Sequence, residues 1–182
     1  MSTLRSGLDE LRAADVGLAS DDELAEDLLE LERASRVIDA ERSRRLVEVD
    51  RRGSWAIDGH LSLVSWLAAR LRFGPGRAAQ QVRLARALEQ MPATEAALGA
   101  GEVSTEATGL LVAARYAAPG AFSEAEDMLL DAATTLSARD FWAAIAYWRQ
   151  AADSAQARER ARRAYQGRRL HVSPMLDGMV RI

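Results

Sequence analysis

Apolar residues recur at helical spacing along almost the whole chain. Leu4, Leu8 and Leu11 fall at i, i+4 and i+7 and predict a short, weak helix within residues 1–20. Ser20-Asp21-Asp22-Glu23 then has the form of a capping box, in which the serine oxygen accepts from an amide one turn on and the glutamate reaches back to the Ser20 amide. A helix over 21–52 should follow, with Leu24, Leu28, Leu31, Ile38 and Val49 near one stripe and Gly53 as its stop. At 1.5 Å per residue this is a rod of roughly 45 Å, long enough to need a neighbour: the rest of the domain or a second copy. Ser35 and Arg42 interrupt the stripe, so an ideal coiled coil is not indicated.

Shorter helices are predicted beyond Asp58-Gly59, which marks a turn. Ser62 caps one through Leu63, Val64, Trp66, Leu67 and Leu71, ended by Phe73-Gly74-Pro75-Gly76. Arg77 to Gln90 forms the next and Thr94 to Leu98 another, and Ser104 opens one to about Ala117. Ser123-Glu124-Ala125-Glu126 repeats the capping-box pattern ahead of a helix to Leu136. Ser137 caps a helix whose Phe141, Ile145, Trp148 and Ala152 share one face, and a separate basic helix spans Ser154 to Tyr165. The period then changes. Arg169 to Ser173 alternates, Pro174 to Gly178 reads as a turn, and Met179 to Ile182 alternates again, which predicts a β-hairpin.

The expected fold is therefore mainly α: a multi-helix bundle with one long N-terminal helix and a short C-terminal β-hairpin. Residues 1–20 form the weak helix, and 21–166 the helical domain with a helix-turn-helix-like segment at 62–90. Residues 167–182 begin a hairpin that leads into a downstream region, since the alternation stops inside its second strand on an apolar residue.

Composition narrows the chemistry. Cysteine is absent, which excludes disulfides, thiolate metal sites and thiol nucleophiles, and two histidines, His60 and His171, cannot build a multi-histidine centre. No apolar run reaches the ~18 residues of a membrane span, and the first residues lack a signal core, so the expected location is cytoplasmic. All 24 basic residues are arginine and alanine fills 36 positions, a composition that favours helix. Charge is segregated beneath a net value of −3: Asp9 to Glu32 holds ten acids and one base, Gly59 to Leu88 five arginines and no acid, and Ser154 to Arg169 six arginines and one acid. Such blocks serve either nucleic acid or mutual neutralisation within a fold or dimer.

The acid-free block carries the best candidate for chemistry. A helix, a glycine-bearing turn and a second helix have the outline of a helix-turn-helix. On the second helix Ala78, Val82, Ala85 and Leu88 face one side, with Gln81 and Leu84 at its margin. Gln80, Arg83, Arg86 and Gln90 face the other, between small Ala79 and Ala87. Arginine and glutamine read base edges, and alanines permit close approach. Arg77 adds charge at a helix start, where amides favour phosphate. Arg70 and Arg72 extend the set, so the expected DNA-binding residues are Arg70, Arg72, Arg77, Gln80, Arg83 and Arg86. The acids Asp21, Asp22, Glu23, Glu26, Asp27 and Glu30 have the charge to hold a hard cation, but acids in a first helical turn answer the helix dipole. Trp55 and Trp66 are expected to seal the junction of rod and bundle, and His60 to pack at the start of its helix. No catalytic constellation, metal site or cofactor is expected.

Asp58-Gly59-His60, Ser65-Trp66-Leu67-Ala68, Val82 to Leu88, Met91-Pro92-Ala93-Thr94, Gly101-Glu102-Val103-Ser104 and Asp177-Gly178-Met179-Val180 together resemble one family. It is the domain of unknown function two-two-two, and the similarity runs from about Glu23 to the end. The resemblance implies a helical N-terminal module that accompanies an HNH endonuclease in GC-rich bacteria, with no catalytic residues of its own. Two positions depart from the pattern: Phe73-Gly74-Pro75-Gly76 replaces a Leu-Ser helix opening, and Thr108 stands where alanine is usual. The expected function is a non-catalytic module that engages DNA. The alternative is an assembly module whose 21–52 helix pairs with a second copy or with a downstream nuclease domain.

Overall fold

The computed structural model of the chain describes residues 2–166 and the backbone of 173–174 and 180–181. In chain order the helices are α1 (Ser2–Ala13), a 3₁₀ turn (Val16–Leu18), α2 (Asp21–Arg52), α3 (Ser54–Ile57), α4 (Leu63–Leu71), α5 (Pro75–Leu88), α6 (Pro92–Gly99), α7 (Thr105–Ala117), α8 (Pro119–Thr135) and α9 (Ala138–Gln166). Two compact units divide between Thr108 and Gly109, inside α7.

In the first unit α2 starts and stops where its sequence says. The Glu23 amide donates to Ser20 Oγ at 3.3 Å, and the Ser20 amide donates to Glu23 Oε2 at 2.8 Å. Bonds from the Ser20 backbone and then its hydroxyl hold the Glu23 carboxyl below its usual range. Gly53 ends the helix in the left-handed conformation, φ 64°, its amide returning to Asp50 and Val49 carbonyls. The later part of α2 packs along α5 and α6. Leu46, Leu63, Leu67, Ala78, Val82 and Ala85 bury one cluster, with Trp55, Trp66 and Phe73 half-buried beside it.

The loop after α6 is tied to the same helix. Arg36 Nη1 donates to the Gly101 carbonyl at 3.2 Å, and Thr105 Oγ1 donates to Asp39 Oδ2 at 2.8 Å. Val103 between them is fully buried. Thr108 is also fully buried; its hydroxyl donates to the Ser104 carbonyl at 2.9 Å, so the buried polar atom is satisfied.

The second unit departs from expectation in two places. Helix α8 opens at Pro119, because proline is pre-organised for a first helical position. Ser123 is consequently not a cap: it lies one turn in, donating back to the Pro119 carbonyl. The helix capped by Ser137 and the basic helix expected at 154–165 are one continuous rod, α9, since no glycine or proline separates them. Packing of α8 on α9 accompanies burial of Phe122, Leu129, Phe141 and Ile145.

The expected C-terminal β-hairpin is not present. Among the described residues non-helical pairing is limited to Ser173 opposite Arg181 and Pro174 opposite Val180, too short to count as a ribbon. Pro174 cannot donate to a ladder, and an isolated two-stranded ribbon is marginal in any case. The remainder of that expectation, with His171, lies outside the described residues. Among the described residues the architecture is otherwise helical.

Candidate nucleic-acid interface

The segment expected to bind DNA begins with a cap. The Ser65 amide donates to Ser62 Oγ at 3.2 Å and starts α4. Arg72 ends α4 in the left-handed conformation, φ 54°, and three residues later Pro75 opens α5 as its first helical residue. Gly74 has no side chain to cap the first amides of α5. The proline thus starts α5 without a side-chain cap.

The helical wheel holds along most of α5. Ala78, Val82, Leu84, Ala85 and Leu88 are buried, and Arg77, Ala79, Gln80, Arg83, Arg86 and Gln90 are exposed. Ala87 is a correction: it is buried rather than set among the outward arginines. Packing of α6 against the end of α5 covers a wider arc there than the wheel allows.

All six expected residues are exposed, but their charges are not equally available. Arg70 pairs with Asp58 at 2.7 Å, and Arg86 pairs with Asp50 of α2 at 2.7 Å. The Arg77 guanidinium lies over the Phe73 ring, 4.3 Å from its centroid, which orients it without neutralising it. Arg72, Gln80 and Arg83 make no ion pair or side-chain hydrogen bond among the described residues. The outward cationic set is therefore Arg72, Arg77 and Arg83. Asp50 and Asp58 went unrecognised as partners because they lie 36 and 12 residues away from the arginines they meet.

Asp58 is the hub of the turn before α4. Trp66 Nε1 donates to its Oδ2 at 2.7 Å, and the Arg70 guanidinium donates to the same oxygen. The indole hydrogen bond, then the arginine, hold this carboxyl below the usual aspartate range. The carboxylate is the favoured form, so its contribution is complete above the unfolded-state value of about 3.9 and fades as pH falls through the lowered one. Trp66 fluorescence should therefore titrate in acid below that value, and Asp58→Asn should remove the transition. An unchanged acid profile in that variant would count against the hub.

The remaining candidates contribute little chemistry. The His60 amide donates to the Trp55 carbonyl at 3.0 Å, and its side chain is half-buried. No group of three or more His, Asp or Glu is arranged to hold a metal among the described residues. The acids opening α2 are accounted for by the capping box and the helix dipole. No helix among the described residues is long and apolar enough to cross a membrane.

A family model described as "Domain of unknown function (DUF222)" matches residues 25–182. No curated protein and no solved structure shows a significant match.

Proposed function

The chain belongs to the DUF222 family, and from that footing we propose that it is a non-catalytic helical module that engages DNA in an HNH-endonuclease-associated protein. What supports the reading is one observation: Arg72, Arg77 and Arg83 project from a single helix-turn-helix with no acid between them, beside exposed Gln80 and Ala79. Phosphate contacts position such a module, and the arginine and glutamine at Arg83 and Gln80 are the base-edge readers. Arg70 and Arg86 act as struts that set the turn and brace α5 on α2.

Fluorescence anisotropy with duplex DNA tests this. Two phosphate contacts, from Arg72 and Arg77, predict a log–log salt slope of about −2. Charge reversal of Arg77 and Arg83 should abolish binding at low salt, while Arg86→Ala should weaken it far less because Asp50 already holds that charge. Absence of DNA binding by the whole chain at low salt would overturn the proposal.

A further inference from the structure

Two long helices each carry a half that their own unit leaves uncovered. In α2 every residue from Asp21 to Arg33 except Leu24 is exposed, and burial begins at Arg36. Leu24, Leu28 and Leu31 share one stripe there, and Leu28, Leu29 and Leu31 are 68%, 74% and 46% exposed. Leucines in a row on an open helix mark an interaction surface.

Charge identifies the occupant. Residues 21–32 carry seven acids (Asp21, Asp22, Glu23, Glu26, Asp27, Glu30 and Glu32) and no base. The same segment from another molecule would oppose acid with acid, so the partner helix has to be basic. The C-terminal half of α9 has that character: Arg158, Arg160, Arg162 and Arg163 against Glu159, all exposed but the glutamate. The covered face of α9 carries Phe141, Ile145 and half-buried Trp148 in its N-terminal half, and continues through Ala152, Ala155 and Glu159, beside the start of α8. On the opposite face Ser154, Ala157 and Ala161 fall at i, i+3 and i+7, a strip small enough to receive leucines, with Arg158 beside it. Arg160 and Arg162 lie on the two sides of the helix between this strip and the covered face; Arg162 also meets Glu159 of its own helix at 3.3 Å. Asp27 and Glu32 flank the leucine stripe of α2. Asp27 makes no ion pair among the described residues, and Glu32 pairs only with Arg36 of its own helix.

We infer that the acidic, leucine-bearing half of α2 docks on the basic, small-residue half of α9 of a second copy of this chain. Each copy supplies one surface of each kind, so a second copy offers each surface its complement. The inference uses none of the residues assigned to DNA, so either can fail alone.

Sedimentation of the full chain across concentration tests it, with circular dichroism as the folding control. The chain should dimerise. Asp27→Arg with Glu32→Arg should weaken the dimer about a hundredfold, and Arg160→Glu with Arg162→Glu should do the same. The four changes combined should restore it, a rescue that a misfolded variant does not produce. A strict monomer at high micromolar concentration overturns the inference. So does a dimer indifferent to both reversals, or reversal at Arg160 and Arg162 that weakens DNA binding while leaving association intact.

Discussion

Phe122→Ala is expected to destabilise the second unit by about 3–5 kcal/mol. The ring is fully buried and meets Trp148 edge-on, with centroids 6.2 Å apart and planes at 87°. Truncation removes the transfer free energy of the ring, leaves a cavity between rigid helices, and forfeits an aromatic pair worth about 0.5–1.5 kcal/mol beyond its area. Urea unfolding read by tryptophan emission measures the loss, with Trp148→Phe identifying the reporter. Two compact units permit more than one transition, so amide hydrogen exchange in α8 and α9 should accompany the melt. A shift below about 1 kcal/mol would mean that this pair does not anchor α8 on α9.

Gly101→Val should cost about 3 kcal/mol or more in the first unit. Gly101 has φ +74°, where a β-branched residue is strained whatever the space around it. Space is lacking too: a Cβ would stand 2.6 Å from Arg33 Cγ and 3.1 Å from the Arg33 carbonyl oxygen. The side chain can move, but the α2 backbone cannot without disturbing its helix. Relief would lift Gly101 away and break the Arg36 and Thr105 bonds that fasten the loop to α2. Thermal unfolding compares this variant with Gly99→Val, where a Cβ meets nothing within 4 Å and φ is not in the left-handed region. Equal losses at the two sites would show that the close approach to Arg33 contributes nothing.

The contrast between these glycines shows what sequence reading reaches. Gly53 is legible as a stop because it follows a long apolar stripe, and its left-handed φ serves only the helix it ends. Gly101 also stands at the end of a helical segment, yet its reason is the backbone of Arg33, 68 residues earlier, and no local pattern contains that. The starts divide in the same way. Ser20, Ser62, Ser104 and Ser137 cap the helices that follow them, as a bond from oxygen to an amide three residues on requires. Ser123 has the same spelling but sits inside α8, because Pro119 had already started that helix. Alternation near the C-terminus predicted a hairpin, and periodicity alone cannot supply the neighbouring strand or helix that stabilises one.

Of the candidate interface, the sequence by itself determined which arginines and glutamine face outward on α5, because a period of 3.6 residues and a buried alanine–valine face leave them no other side. It also determined the helical class, through alanine content and caps. Tertiary structure alone decided which of those charges stay available: Asp50 reaches Arg86 only once α2 lies along α5, and Asp58 reaches Arg70 only once the turn before α4 closes. Periodicity is a property of neighbours in the chain. Charge neutralisation is a property of neighbours in space, and those exist only after the helices pack.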